Sequence, residues 1–193
     1  AERTDEELVE TARKATGGDL RAFDLLVRRW QDRVLVNCRF LTRSPDDSEG
    51  LAQEVFVKAF FHLSKFEGRA SFGTWVRRIK VNHCLNFIRS RKNRTFLDAD
   101  DEALSSFEEL QVDAEALRRT ENLDRREAIR TVLDALPDTL RIPLLLRDLD
   151  GMSYQEIADD LGIGLSATKM RIKRAREQFR ELYDGSVAME ARS

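Results

Sequence analysis

The side chains best placed to do chemistry in this sequence are cations near its carboxyl end, at spacings that repeat on a helix. The stretch from residue 165 to residue 183 carries six bases against the two acids Glu177 and Glu181. On a helix, residues that recur every three or four positions share one face. A cationic face of this kind fits the major groove of duplex DNA, where it meets phosphates and base edges. The side chains that we expect to point outward are Lys169, Met170, Lys173, Arg174 and Arg176.

The residues around this cationic face predict a helix-turn-helix over positions 153–176. Ser153 begins a capping box that starts the first helix, and Ala158 is small enough for two helices to approach closely. Gly162 supplies the turn, and Ser166 can cap the second helix. An ordinary helical hairpin with solvated charges explains each feature alone, but their combination at this spacing favours DNA binding.

A second cationic stretch lies at residues 69–94 and mixes bases with aromatic side chains. Aromatic rings on a cationic surface can stack on unpaired bases, whereas duplex binding needs only the charge. Most of the aromatic residues here are better explained as core, and Trp75 is the best candidate for contact with an opened strand. The stretch contains no acid, and its eight bases are Arg69, Arg77, Arg78, Lys80, Arg89, Arg91, Lys92 and Arg94.

Histidine and cysteine residues offer the other chemistry that the sequence could hold, a metal site or a nucleophile. His83 and Cys84 are adjacent, so on a helix they point to different sides, and no CxxC or HxxxH spacing occurs. Cys38 falls on an apolar helix face, as a packed thiol would, and His62 lies elsewhere in the chain. No P-loop, glycine-rich nucleotide fingerprint or nucleophile elbow occurs in the sequence. We therefore expect no metal, no cofactor, no small-molecule substrate and no enzyme activity.

Composition is typical of a helical protein from a reducing compartment. The 193 residues are 41% hydrophobic and 35% charged, enough to bury cores in a soluble chain. Three prolines and nine glycines are too few for an all-β fold. No apolar run approaches the roughly 20 residues that span a bilayer, and the acidic amino-terminal stretch does not resemble a signal peptide. Two cysteines make no disulfide framework, so we expect a cytoplasmic protein without membrane insertion.

Helical periodicity runs through most of the chain and predicts an all-α fold. Apolar residues at steps of three and four predict a long amphipathic helix that ends before Pro45. Further helices are expected after Pro45 and from about Phe72, and Pro137 makes a corner between two later ones. The predicted inward face of the first long helix consists of Phe23, Val27, Trp30, Val34, Cys38 and Leu41.

The distribution of charge predicts two helical domains joined by a flexible acidic linker. We expect the first domain at residues 1–94, the linker at residues 95–124, the second domain at residues 125–185 and a tail at residues 186–193. The linker is expected to be a solvated tether, because acids accumulate there and helical periodicity weakens. Its first part contains no base, and its acids are Asp98, Asp100, Asp101, Glu102, Glu108, Glu109, Asp113 and Glu115.

Four stretches, in this order, resemble the sigma-70-type initiation factors, and most closely their small extracytoplasmic function (ECF) group. Residues 19–31 (DLRAFDLLVRRWQ) resemble the opening of sigma domain 2, and residues 47–60 (DSEGLAQEVFVKAF) resemble the helix that docks on the clamp helices of the polymerase β′ subunit. Residues 72–82 (FGTWVRRIKVN) resemble the helix that melts and reads the −10 promoter element. Residues 136–148 (LPDTLRIPLLLRD), with the helix-turn-helix, resemble domain 4, which binds the −35 element. The resemblance covers about residues 5–183.

The resemblance implies a factor that binds core RNA polymerase, through the β′ clamp helices and the β flap, and directs it to promoter DNA. The implied polymerase-binding residues are Asp47, Glu49, Leu51, Gln53, Glu54 and Phe56. The residues implied in −10 strand opening and in holding a flipped base are Lys65, Phe66, Arg69, Ser71, Phe72, Trp75, Arg78 and Asn82. The residues implied in binding the −35 duplex are Ser166, Lys169, Met170, Lys173, Arg174 and Arg176.

The resemblance also implies control by an anti-sigma factor, which could hold the protein near the membrane. The acidic linker would lie in the cationic RNA-exit path of the polymerase, where its charge imitates nucleic acid. Some positions depart from the family pattern. Gly50 replaces the usual acid, which weakens part of the polymerase contact, and Gly164 replaces a frequent proline, which loosens the turn. Met170 and Lys173 are unusual at their positions, so the −35 sequence does not follow from them.

A stand-alone helix-turn-helix regulator that binds operator DNA without joining the polymerase is the rival interpretation. It explains the carboxyl-terminal domain but gives Gln53, Glu54 and the basic-aromatic helix no role. The two interpretations differ in whether the free protein binds duplex DNA tightly and independently of core polymerase.

Overall fold

The computed structural model describes residues 3–15, 19–91 and 125–190 of the chain. Contacts between residues divide the chain into two compact units, Ala1–Arg91 and Lys92–Ser193, and each is described by itself. Every regular element in the described ranges is helical, which confirms the predicted all-α fold. The predicted acidic linker lies outside the described residues.

Four α-helices form the described part of the amino-terminal unit. They are α1 (Asp5–Lys14), α2 (Arg21–Thr42), α3 (Pro45–His62) and α4 (Phe72–Arg91), and a 3₁₀ turn at Leu63–Lys65 follows α3. Helices α2, α3 and α4 pack against one another, and α1 packs on α2.

Local sequence signals set the ends of these helices. At the start of α1, Thr4 Oγ1 accepts the N–H of Glu7 at 3.2 Å, and the Glu7 carboxylate accepts the N–H of Thr4 at 2.8 Å. This reciprocal capping satisfies two backbone donors that the helix leaves free. Arg43 follows α2 in the left-handed conformation, with φ of 54°. Pro45 then starts α3, where its missing N–H costs nothing.

The core of the amino-terminal unit lies between α2, α3 and α4. The predicted inward face of α2 is buried except at Val27 and Trp30, which are half-buried. Cys38 of α2 meets Cys84 of α4 with the two sulfur atoms 3.6 Å apart, and both thiols are free and fully buried. This contact agrees with the interpretation of Cys38 as a packed thiol.

Four further helices and one π-helical turn form the described part of the carboxyl-terminal unit. They are α5 (Arg125–Ala135), α6 (Asp138–Leu144), the turn at Leu145–Leu149, α7 (Tyr154–Leu161) and α8 (Leu165–Glu190). Helix α8 packs against α5, α6 and α7, so it is the element that holds this unit together.

A corner and a buried ion pair form the junction between α5 and α6. Pro137 is extended immediately before α6, as the sequence predicts. In the first turn of α6, Arg141 donates to Asp138 from Nη2 at 2.6 Å and from Nε at 3.0 Å. The two side chains are only 2% and 4% exposed. Removing one partner of a buried pair of this kind is strongly destabilising, because the remaining charge stays buried and loses that partner's compensating charge.

Within the described ranges, no helix combines the length and apolar character that crossing a membrane requires. The same residues bring together no three His, Cys, Asp or Glu side chains that could share a metal ion.

Candidate nucleic-acid interface

The turn of the predicted helix-turn-helix has the geometry that the sequence indicates. Ser153 Oγ accepts the N–H of Glu156 at 3.2 Å, and Glu156 accepts the N–H of Ser153 at 2.8 Å, which together start α7. Gly162 ends α7 with φ of 70°, a conformation that glycine adopts without strain. The N–H of Ile163 then donates to the carbonyl of Ala158 at 3.1 Å. These bonds fix the tight turn that presents α8.

One face of α8 is buried and the opposite face is open and cationic. Thr168, Ile172 and Ala175 are at most 1% exposed. Met170, on the other face, is 47% exposed. This is the orientation that the sequence predicts for the second helix. The basic side chains of the open face are Lys169, Lys173 and Arg176, which are exposed, and Arg174, which is half-buried.

Two residues of the predicted −35 set have surroundings that the sequence did not reveal. Ser166 lies inside the first turn of α8, which begins at Leu165, so the expectation that Ser166 caps this helix is wrong. Arg176 donates to Asp148 from Nη2 at 2.6 Å and from Nε at 3.0 Å. This hydrogen bonding raises the pKa of Arg176. Arg176 therefore has a partner within its own unit.

Arg147, the neighbour of Asp148, braces the segment before α7. Its Nη1 donates to the carbonyl of Met152 at 2.6 Å, and its guanidinium lies over the ring of Tyr154, 4.6 Å from the centroid. A guanidinium over an aromatic face is attracted by the negative face of the ring. Together with the bonds from Arg176, these contacts tie the segment before α7 to α8.

Trp75 lies at the edge of an aromatic cluster at the start of α4. Its ring is tilted against Phe66 and Phe72, with ring centroids 5.1 and 5.9 Å away. Phe66 is 6% exposed and Phe72 is fully buried, whereas Trp75 is half-buried. A base could therefore reach Trp75 but not the rings beneath it. The prediction that Phe66 and Phe72 contact DNA is corrected, because they are core side chains that support Trp75.

The remaining residues of the predicted −10 set are accessible. Trp75, Arg78 and Asn82 follow one another at steps of three and four along α4, so they share a face of that helix. Ser71 Oγ accepts the backbone N–H of Thr74 at 3.2 Å and so stabilises the first turn of α4. The exposed members of the set are Lys65, Arg69, Ser71, Arg78 and Asn82.

Helix α3 presents only part of the predicted polymerase-binding set to solvent. Glu49, Gln53 and Glu54 are exposed. Leu51 and Phe56 are 6% and 7% exposed and belong to the core. Side chains with so little exposed surface can add little to a contact with a partner, so the prediction that these two contact the polymerase is corrected.

Two of the three acids near the start of α3, Asp47 and Glu49, make ion pairs within the unit. Arg91 of α4 lies with Nη1 2.7 Å from Asp47 Oδ2, and the Ser44 hydroxyl donates to the same carboxylate. Arg39 of α2 lies 3.4 Å from Glu49. Asp47 therefore links α3 to α4, and Glu49 links α3 to α2.

His83 of α4 makes contacts with α3 that the sequence does not predict. Its Nδ1 lies 2.6 Å from Lys58 Nζ, and its Nε2 lies 2.8 Å from Glu54 Oε2. Burial lowers the pKa of His83 and the charge of Lys58 lowers it further, while Glu54 opposes both. A neutral imidazole can accept a hydrogen bond from the Lys58 ammonium. Glu54 and Lys58 stand one turn apart on α3, but no spacing in the sequence places His83 opposite them.

Two families match the chain in the regions that contain these surfaces. Sigma-70 region 2 matches residues 26–94, which include α3 and α4, and Sigma-70, region 4 matches residues 126–179, which include the helix-turn-helix. These two regions in this order define a sigma-70-type initiation factor.

Relatives that match most of the chain define the group. The ECF RNA polymerase sigma-E factor of Escherichia coli is 36% identical over 179 residues, which cover 90% of this chain and 91% of the relative. The RNA polymerase sigma-H factor of Pseudomonas aeruginosa is 33% identical over 177 residues, which cover 90% of each chain. The chain therefore belongs to the sigma-70 family of RNA polymerase sigma factors, in the ECF group.

Solved structures share the fold. CnrH, solved in complex with the cytosolic domain of CnrY, superposes with a TM-score of 0.57 at 25% identity, covering 94% of this chain and 97% of CnrH. The sigma factor RpoE from Bartonella quintana, solved with the anti-sigma factor NepR, superposes with a TM-score of 0.58 at 22% identity, covering 85% of this chain and 98% of RpoE.

Proposed function

We propose that this ECF factor binds core RNA polymerase through α3, opens the −10 element with α4 and holds the −35 duplex with α8. The observation that carries the proposal is that one chain has two different surfaces whose chemistry suits nucleic acid. One is the accessible aromatic edge at Trp75, and the other is the open cationic face of α8. A duplex reader needs only the second surface, whereas a factor that also holds an opened strand needs both.

The −35 contact is assigned to the open face of α8. Lys169 and Lys173 are exposed and can pair with phosphates, while Arg174 can make a bidentate contact to a guanine. Met170 offers an apolar contact of the kind that reads a thymine methyl group. Ser166, in the first turn of α8, lies where a helix amino terminus favours a phosphate. Phosphate contacts position the factor and base contacts give the specificity.

The −10 contact is assigned to the face of α4 that carries Trp75. Stacking of a base on an aromatic ring contributes about 1–3 kcal/mol, which offsets the few kcal/mol that unstacking a base costs. Arg78 and Asn82 share the face and can hold the strand beside that base. Lys65 and Arg69 precede α4 and supply positive charge for the backbone.

The polymerase contact is assigned to the exposed part of α3. Glu49, Gln53 and Glu54 offer polar groups there. Apolar side chains on the same helix are open to solvent as well, which is typical of a surface that binds another protein. They are Val57, Phe60 and Phe61, at 53%, 42% and 71% exposed.

Control by an anti-sigma factor, in the cytoplasm where the polymerase acts, is part of the proposal. CnrH was solved with the cytosolic domain of CnrY bound, which supports capture of this chain by a protein partner. An inhibitor that covers the exposed apolar side chains of α3 would compete with core polymerase. Contacts to the β flap and the path of the acidic linker are proposed from the family resemblance alone.

Reconstituted transcription tests the proposed function. The promoter is selected from a random DNA library with the holoenzyme, and strand opening is followed by a fluorescent base analogue in the −10 element. Trp75→Ala is expected to impair opening while leaving the affinity for core polymerase largely intact. Trp75→Phe, which keeps a ring for stacking, should retain most of the opening. Normal opening by Trp75→Ala would remove Trp75 from its assigned role.

A further inference from the structure

Gly73, in the first turn of α4, is in close contact with the indole of Trp30 on α2. A Cβ at position 73 would lie 2.6 and 2.8 Å from Trp30 Cζ2 and Cζ3, and closer still to Cη2. These atoms form the far edge of a rigid bicyclic ring. Separations below 3 Å between carbon atoms are repulsive, since the optimum is about 3.5–4.0 Å. Glycine is therefore the residue that lets the start of α4 approach α2 this closely.

Trp30 is held in this position from α1. The indole Nε1 donates to Asp5 Oδ2 at 2.8 Å, and Arg29 donates to the other oxygen of the same carboxylate at 2.9 Å. Arg33 lies over the ring, 5.7 Å from its centroid. The indole cannot swing away from Gly73 without giving up the hydrogen bond to Asp5.

The contact between Trp30 and Gly73 lies next to the rings that support Trp75. Trp30 packs edge-on against Phe72, with centroids 6.5 Å apart, and Phe72 in turn supports Trp75. Gly73 precedes Trp75 by two residues, and the Trp75 N–H donates to the Ser71 carbonyl at 3.1 Å in the same turn. Any displacement of this turn therefore moves the Trp75 backbone and the ring beneath it.

We propose that Trp30 and Gly73 are positioning residues for strand opening. The close contact between them fixes the position of the first turn of α4 along α2 and so sets the orientation of the exposed edge of Trp75. This inference rests on the proposed role of Trp75 in holding an opened base. Neither residue needs to touch DNA, because both act through the placement of Trp75.

The test uses a pair of substitutions that complement each other in size. Gly73→Ala should collide with the indole and displace Trp75. Trp30→Phe removes the indole atoms that would collide, so the double variant Trp30→Phe/Gly73→Ala should accommodate the added methyl group. Gly185→Ala in α8, where a Cβ meets nothing within 4 Å, is the matched glycine control.

The variants are assembled with core polymerase on the selected promoter, and core affinity and the opening rate are measured separately. Gly73→Ala is expected to slow opening about tenfold, which corresponds to about 1.4 kcal/mol in the barrier, with core affinity unchanged. In the Trp30→Phe background, adding Gly73→Ala should change the opening rate less than twofold, an estimate of about 0.4 kcal/mol on the same scale. Normal opening by Gly73→Ala would overturn the inference.

Two further outcomes are also decisive. If Gly73→Ala is too unstable to bind core polymerase, the inference is tested by comparing Trp30→Phe with the double variant. It would be overturned if Trp30→Phe binds core polymerase and opens the promoter but the double variant fails in either. Trp75→Ala is measured in parallel. Normal opening by Trp75→Ala means that the proposed function of Trp75 has failed, whereas slow opening by Trp75→Ala beside normal opening by Gly73→Ala means that only the positioning inference has failed.

Discussion

Arg176 and Asp148 form a two-point ion pair in which Nη2 and Nε of the guanidinium lie 2.6 and 3.0 Å from the two carboxylate oxygens. The pair joins α8, the second helix of the helix-turn-helix, to the π-helical turn that precedes the helix-turn-helix. A guanidinium whose charge is already balanced displaces few counterions when DNA binds. We therefore expect Arg176 to contribute less to the salt dependence of DNA binding than the exposed lysines of the same helix.

The salt dependence of −35 binding should therefore respond differently to the loss of Lys169 and the loss of Arg176. Lys169→Ala is expected to reduce the slope of log affinity against log salt concentration by about 1, because an exposed lysine neutralises one phosphate. Arg176→Ala should leave that slope unchanged. The measurement is a salt titration of holoenzyme binding to promoter DNA. A slope reduced equally by both substitutions would show that Arg176 leaves Asp148 and contacts a phosphate.

The buried pair of Asp138 and Arg141 should dominate the stability of its surroundings. Asp138→Ala is expected to lower the free energy of unfolding by about 3–5 kcal/mol, because it removes the carboxylate that lies 2.6 Å from the buried Arg141 guanidinium. Asp134→Ala removes an exposed ion pair with Arg130 and should cost about 1 kcal/mol or less. Urea unfolding of the full chain measures both. Equal losses in the two variants would mean that burial of the Asp138–Arg141 pair does not add to the free energy of unfolding.

Replacing Gly162 by a residue with a side chain should lower the free energy of unfolding through backbone strain alone. A Cβ at this position meets nothing within 4 Å, so the positive φ alone opposes a side chain. Gly162→Ala should lower the free energy of unfolding by about 1–2 kcal/mol. Gly162→Asn should cost less, because asparagine tolerates the left-handed conformation. Thermal unfolding of the two variants gives the comparison, and an equal cost would refute this explanation.

Acid should destabilise the amino-terminal unit through His83. Its folded-state pKa is lowered from the ordinary value of 6.5, first by burial and then by Lys58, so the unfolded chain binds the proton more readily. As pH falls below about 6.5, the free energy of unfolding should therefore fall, and the loss should be complete below the folded-state pKa.

Two variants test this assignment. His83→Gln keeps a donor and an acceptor but does not titrate, so the acid-dependent loss should shrink. Lys58→Met removes the positive charge beside His83 and should also reduce the acid-dependent loss of stability. Unfolding is followed by urea titration at several pH values between about 4 and 8, around the ordinary pKa of histidine. An unchanged pH dependence in His83→Gln would assign the effect to other groups.

The architecture, the two faces of α8 and the choice of Trp75 as a candidate could be predicted from the sequence. The buried and open faces of α8 follow from helical periodicity, and Ser153 and Gly162 set its turn through local capping rules that need no tertiary information. Trp75 could be singled out because it was an aromatic residue in a stretch of bases without acids.

The wrong predictions concern residues whose burial and contacts depend on how the helices pack against one another. Leu51 and Phe56 were assigned to the polymerase surface by motif, but contact with the neighbouring helices determines which residues of α3 are buried. The approach of Trp30 to Gly73 depends on where α2 and α4 cross. The contact of His83 with α3 is likewise set by packing, and no spacing along the chain encodes it.

The most direct test of the account compares promoter binding by the free chain, core polymerase and their complex. Gel shifts are run on the selected promoter and on a scrambled duplex of the same length. We predict tight, sequence-specific binding with an opened −10 element only for the complex, and weak, salt-sensitive binding without sequence preference for the free chain. Tight and specific duplex binding by the free chain, unchanged by core polymerase, would contradict the account and identify a stand-alone regulator.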